Sequence, residues 1–378
     1  MNKVLKIKLL ILALPFCINA MSELKEKEET PSALVARINE YRSACLREHL
    51  IPDLARLVQE YDPIQDKWEC EQNLEGHEGS VQSVCVLPGN KLASASTDKT
   101  IKIWNLNSGK CEKTLTGHEG PLCSICVLPE NKLASASYDK TIKIWNLNSG
   151  KCEKTLTGHE EFVQSVCVLP GNKLASASHD NTIRIWDLTS GKCEQTLTGH
   201  EGSQSVCVLP GNKLASASHD NTIRIWDLNS NKPIGTLNGH TGSVTSMCVL
   251  QGNKLASSAW DGTIRIWNLN SNECEGVLQS NTIRILKICL LPGNKLASSY
   301  WSSNIIEIWD LNKRKATTSL KDHKSGIPSL CVSPENKLIS ASWDKTIKIW
   351  SNSAITSGPT DEEFLKFMHE KESWLTQK

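Results

Sequence analysis

The sequence predicts an all-β fold made of one four-stranded unit repeated seven times. Three observations predict it. An Ile-Trp pair recurs at Trp104, Trp145, Trp186, Trp226, Trp267, Trp309 and Trp350, spaced 40 to 42 residues apart, and a fixed period of that length marks a repeat architecture. Inside each period, short β-branched or alternating stretches are cut by Gly, Pro, Asn and Asp about every ten residues, the pattern of hairpin-linked strands. Gly-His precedes five units, at His77, His118, His159, His200 and His240; the sixth has Gln279-Ser280 there and the seventh Asp322-His323.

The elements of one unit follow in order. Val81 to Leu87 alternates and ends at the turn Pro88-Gly89-Asn90, so it is the first strand. Lys91 to Ser96 sets Leu92, Ser94 and Ser96 against Ala93 and Ala95, a second strand. Asp98-Lys99 turns the chain into Thr100 to Asn105, where Ile101 and Ile103 face one side and Trp104 the other. Ser108-Gly109 turns it again into Lys110 to Leu115. A single unit cannot bury both its faces, whereas a closed set can, each unit covering the next.

These units, for example GHEEFVQSVCVLPGNKLASASHDNTIRIWDL, resemble WD40 repeats over about Trp68 to Trp350. The resemblance implies a seven-bladed β-propeller occupying residues 67–352. WECEQNLEGH, before the first Gly-His, parallels KCEKTLTGH, and no such strand follows Trp350. Residues 68–74 are therefore expected to supply the outer strand of the last blade and to close the ring. The resemblance also implies a hydrogen-bonded tetrad in each blade: His77, Ser94, Asp98 and Trp104 in the first, then His118, Ser135, Asp139 and Trp145, and so on to His323, Ser340, Asp344 and Trp350. A Ser-His-Asp set invites a catalytic reading, but six copies in six blades are scaffold, since a nucleophile has to be exposed beside its base. Blade six lacks the His and the Asp and carries one extra residue in SSYWSSNIIEIW, so it is expected to be the least rigid.

Letters that change from unit to unit while their neighbours repeat are free of the packing rule. The residue before the tetrad Asp reads Thr97, Tyr138, His179, His219, Trp260 and Trp343, and blade six offers Trp301 or Ser302, depending on the direction of counting. The family implies that this turn shares a face with the Gly-His loop. Tyr138, His179, His219, Trp260, Trp301 and Trp343, joined by Phe162, Arg284 and Leu286 from the loops before the first strands, are thus expected to form an arc on one rim. Aromatic and Arg side chains dominate binding hot spots, and the arc reads as a docking face for a protein or peptide segment. The alternative is that the rings merely cap their own turns.

Composition bounds the rest. Lys plus Arg is 42 and Asp plus Glu 41, a formal charge of +1, without the basic excess of a nucleic-acid binder. No apolar run of 18 or more residues predicts a membrane span. No second catalytic domain, Gly-rich phosphate loop or metal motif is present, so neither an enzyme nor a cofactor is expected. Seven of the fifteen cysteines share one repeat position (Cys85, Cys126, Cys167, Cys207, Cys248, Cys289, Cys331) and five another (Cys70, Cys111, Cys152, Cys193, Cys274). They read as small buried apolar side chains rather than disulfides or metal ligands.

At the start, MNKVLKIK followed by LLILALPFCI and Asn19-Ala20 reads as a signal peptide over residues 1–20; the alternative is a cytosolic chain beginning at Met21. Residues 21–66 predict two amphipathic helices, begun by Thr30-Pro31 and Pro52. Their IPDLARLVQEYD resembles the opening of an F-box. That resemblance implies an alternative function, a ubiquitin-ligase substrate receptor that holds its adaptor through residues 31–66. If the chain is bacterial, it would be an effector exported into a eukaryotic host, whose reducing cytosol suits unpaired cysteines. Residues 353–378 predict a C-terminal helix opened by the capping box Thr360 with Glu363.

Overall fold

The computed structural model describes residues 67–352. The signal-peptide, helical and F-box-like expectations for residues 1–66, and the C-terminal helix expected over 353–378, lie outside the described residues.

Alternating small and β-branched residues between tight turns make seven antiparallel four-stranded sheets. In blade one the strands are Val81–Leu87, Lys91–Ser96, Ile101–Asn105 and Cys111–Leu115, adjacent in chain order from inner to outer. The turn between the first two strands places Asn90 at φ 54° and its counterparts Asn172 and Asn253 at 58° and 55°; Asn tolerates this left-handed conformation better than other non-glycine residues. Each inner strand packs beside the next, and the last packs beside the first, so the sheets form a closed ring. Trp68–Leu74 pairs with Ile347–Asn352 as the outer strand of blade seven, so the first described strand and the last lie side by side.

Packing between blades follows the alternation of side chains. Trp104 sits with Val81 and Val84 against Leu74, Ile347 and Ile349 of blade seven. Ile101 and Ile103 face the other way, against Leu122, Ile125 and Trp145 of blade two. Five of the seven repeated tryptophans are among the largest fully buried side chains. The Gly of Gly-His is required by the backbone: Gly76 has φ 144°, which strains any residue with a Cβ, and it lies directly against the Trp104 ring.

A second link is polar. Ser83 Oγ accepts from the Ile125 backbone N–H at 3.2 Å, and Ser329 Oγ accepts from Val84 N–H at 3.2 Å, joining blade seven to blade one. Blade six departs from this pattern, with Lys287 at the serine position.

The cysteines divide into two groups. The seven on inner strands are half-buried and pack at the edges of the inter-blade clusters. Burial pushes the Cys126 thiol up to about 12 and the Cys207 and Cys289 thiols up to about 11, which keeps them protonated and unreactive. The outer-strand group is not buried as expected: Cys111, Cys152 and Cys274 are exposed, and Cys70 and Cys193 half-buried. An outer strand is covered on fewer sides than an inner one, and the small thiol there hydrogen-bonds along its own strand, as Cys111 does with the Lys113 carbonyl at 3.4 Å. All thirteen described cysteines are free.

Candidate functional site: an aromatic rim

Each rim turn is held from beneath by its tetrad. His77 Nδ1 meets the Asp98 carboxylate at 2.7 Å, His77 Nε2 meets Ser94 Oγ at 2.7 Å, and the Trp104 indole N–H donates to Ser94 Oγ at 2.8 Å. Blades two, three, four, five and seven repeat the set. The carboxylate also accepts from the backbone N–H groups of Glu78 and Thr100 and from the Thr100 hydroxyl. Burial works against the charged carboxylate, but the bonds from His77 and Thr100 outweigh it and hold Asp98 well below the usual range. His77 and Ser94 are buried, so the set fixes the turn and presents no accessible nucleophile.

In blade six a different network stands in for the missing His and Asp. Ser280 Oγ donates to the Tyr300 hydroxyl at 2.9 Å, and that hydroxyl donates to the Glu307 carboxylate. Tyr300 also lies 3.1 Å from Ser298 Oγ, which accepts from the Trp309 indole at 2.8 Å. Tyr300 is 1% exposed, and burial and Glu307 both raise its pKa. The expectation of a least rigid blade rested on the missing His, the missing Asp and one extra residue; this network supplies other partners for the first two, and the extra residue remains. The sequence carried an overlooked signal: Tyr300 and Glu307 both depart from the repeat, at positions held elsewhere by Ser or Ala and by Lys or Arg.

The structure resolves the register of blade six. The Trp301 backbone N–H donates to the Arg284 carbonyl at 2.9 Å, as Tyr138 does to Pro121, His179 to Phe162 and Trp343 to Gly326. Trp301 therefore holds the rim position, and Ser302 does not. Arg284 and Phe162 occupy equivalent loop positions just before inner strands. Leu286 differs from its expected place: it is the second residue of the strand Ile285–Leu291. A bulge after Ile285 leaves it out of the ladder, as similar bulges do Gln82 and Gln204. A bulge re-aims the side chain it carries.

The rings form one continuous chain around the rim. Tyr138 stacks on Phe162 at 4.5 Å between centroids and Phe162 on His179 at 3.9 Å. Edge-to-face contacts continue through His179 and His219 at 5.3 Å, His219 and Trp260 at 5.8 Å, Trp260 and Trp301 at 6.1 Å, and Trp301 and Trp343 at 4.8 Å. The Arg284 guanidinium lies 5.4 Å from the centre of the Trp260 ring. Trp343 fits because residue 326 is glycine; a Cβ there would come within 2.7 Å of its ring. Thr97 in blade one is the one interruption.

Tyr138 is 50% exposed and Trp301 44%, His219 and Arg284 are also exposed, and Phe162, His179, Trp260, Leu286 and Trp343 are half-buried. The chain of rings is thus open to solvent on one side and braced from below on the other.

Of the bulge residues, Gln82 and Gln204 are site residues that the sequence reading missed. Gln204 Nε2 donates to His179 Nε2 at 2.9 Å and also to His219 Nε2. His219 Nδ1 in turn meets Ser243 Oγ at 2.8 Å. Gln82 Oε1 accepts from the Trp343 indole N–H at 3.3 Å. Burial, and for His179 also the neighbouring His219, hold both imidazoles below their usual pKa. They are therefore neutral at pH 7 and able to accept from Gln204. The signal was available, since this letter also varies between units: Gln82, Cys123, Gln164, Gln204, Thr245, Leu286.

Among the described residues no group of His, Cys, Asp and Glu is placed to hold a metal ion, and no helix is long and apolar enough to cross a membrane.

Comparison with known proteins matches the WD40 family (WD domain, G-beta repeat) at residues 68–105, 109–146, 150–187, 191–227, 231–268 and 314–351. The stretch left out, residues 269–313, contains the first three strands of blade six. A p21-activated protein kinase-interacting protein 1-like protein of Xenopus laevis is 49% identical over 45 residues, 12% of each chain. Pre-mRNA-splicing factor PRP46 of Yarrowia lipolytica is 47% identical over 57 residues, 15% of this chain and 13% of its own. The chain thus spans only about an eighth of the length of these curated relatives. Six matched repeats, seven sheets in a closed ring and a tetrad in six blades establish that the chain belongs to the WD40-repeat family of β-propellers.

Proposed function

We propose that the protein is a non-enzymatic scaffold that binds a protein or peptide segment on the aromatic rim. One observation carries this reading: the variable letters of six successive blades meet as a continuous, half-exposed chain of rings, whereas the invariant letters are buried between blades. Rings that only capped their own turns would have no reason to touch from blade to blade. Large rigid rings bury much area with little loss of side-chain entropy, and Arg284 and Gln204 add polar contacts that fix orientation. The relatives' names concern a kinase-interacting protein and a splicing factor, but the shared stretches are repeat sequence and support the architecture rather than a partner.

The test is affinity capture by the full chain compared with a Tyr138→Ala, Trp301→Ala double variant, read by quantitative mass spectrometry. These two are the exposed large hydrophobic side chains of the arc, so the variant keeps its fold. Proteins retained by the native chain and reduced tenfold or more with the variant support the reading; identical capture profiles overturn it. Where the protein meets its partner rests on the leader over residues 1–20. Sequencing the mature N-terminus distinguishes export from a cytosolic chain starting at Met21.

A further inference from the structure

The rim carries an asymmetric charge around its rings. The residue after each tetrad His is pinned to the rim by its backbone N–H, which donates to the tetrad carboxylate, at 3.0 Å for Glu119 and Glu160 and 2.8 Å for Lys324. In blades two to four that residue is Glu119, Glu160 or Glu201, all exposed. Glu161 adds a fourth acid, paired with Lys140 at 3.6 Å, and the guanidinium groups of Arg184 and Arg224 lie lower, beside Gly158 and Gly199 of the Gly-His loops, leaving the four glutamates in excess. Blade five carries Thr241 and Gly262 at the equivalent positions. Blades six and seven carry Arg284, Lys324 and Lys345, all exposed, and Asp322 at their edge is paired with Lys348 at 2.6 Å. The first sector is net negative and the second net positive. On a ring of seven, the junction of blades three and four lies opposite blade seven, so the two sectors face each other across the mouth. The aromatic chain runs from one to the other, with its three tryptophans at the positive end.

Resting on the rim-binding reading above, we propose that the partner is a charge-asymmetric protein segment lying across the mouth in a single direction. Its basic end sits over blades three and four. Apolar or aromatic anchors fill the middle against the rings, and its acidic end sits over blades six and seven. The rings supply contact area that any apolar segment could use; the opposed charges select one orientation and reject a segment laid the other way, because like charges brought together destabilise a complex.

The experiment selects a random-peptide library displayed on phage against the immobilised full chain, at low salt and again at 0.15 M salt, where screening shortens electrostatic reach to about 8 Å. The expected result is enrichment of peptides with aromatic or leucine residues at the centre and opposite charges gathered at the two ends. A Glu160→Lys, Glu161→Lys, Glu201→Lys variant should bind the selected peptides tenfold or more weakly, with the loss shrinking as salt rises. Selected peptides that need Trp301 but show no segregation of charge overturn the proposal and leave the rim reading standing. Selected peptides indifferent to both Trp301→Ala and the charge-reversed variant, or no enrichment at all, overturn both.

Discussion

Blade three and blade six perform the same structural task with different chemistry. In blade three, His159 links Ser176 to Asp180, and the Trp186 indole donates to Ser176. In blade six, Tyr300 stands between Ser298 and Glu307, and the Trp309 indole donates to Ser298 at the same 2.8 Å. What is kept is the serine accepting from the buried indole. What is free to change is the group beyond it, provided a hydrogen-bonded carboxylate ends the chain. A buried polar group requires a partner but not a particular one. The family's repeat model leaves the first three strands of this blade unmatched because it reads letters, while the fold keeps the blade because it reads partners.

The comparison breaks first at the tryptophans. Trp186→Ala and Trp309→Ala should each cost about 3–5 kcal/mol, the usual range for emptying a large buried site, measured by denaturant unfolding. A much smaller cost at Trp309 would show that blade six is not packed as blade three is. Next come the polar links. His159→Ala and Tyr300→Phe should each lower stability by about 1–3 kcal/mol, since each strands a buried carboxylate or hydroxyl. Equal costs would establish the two networks as equivalents. Hydrogen exchange of blade six under native conditions reads its rigidity directly.

Acid should separate the blades by mechanism. The tetrad carboxylates Asp98, Asp139, Asp180, Asp261 and Asp344 are held well below the usual range by their hydrogen bonds. A depressed carboxyl contributes stability that is present above its unfolded value near 4 and is lost as pH falls through its folded value. His179 and His219 act in the same direction at higher pH. Their folded values lie below 6.5, so the unfolded chain takes up protons first and stability declines as pH falls from about 6.5. Thermal melts from pH 8 to pH 3 should show a shallow decline followed by a steeper one, and His179→Gln, His219→Gln should reduce the shallow part, leaving the share of His200, which burial also holds below its usual value. The smallest effect on stability belongs to the rim: Trp301→Ala should cost about 1 kcal/mol or less while abolishing partner binding. Trp260 and Trp343 are poorer probes, because both are half-buried and Trp343 is hydrogen-bonded to Gln82.

By itself the sequence determined the number of blades, the strand order within each and which letters face each neighbour. All of these follow from a period near 41 residues and the two-residue alternation of strands, which are local properties. The tetrads were legible for the same reason: the same four letters return at the same spacing. Only the tertiary structure decided what depends on groups far apart in the chain. It placed Trp301 rather than Ser302 on the rim, through a backbone bond to Arg284. It turned Gln204 toward two imidazoles by a strand bulge and set Tyr300 in a network that stands in for a missing histidine. It also joined rings from six blades into one surface. Their mutual distances depend on ring closure and on how each bulge aims its side chain, and neither is written in the spacing of any single repeat.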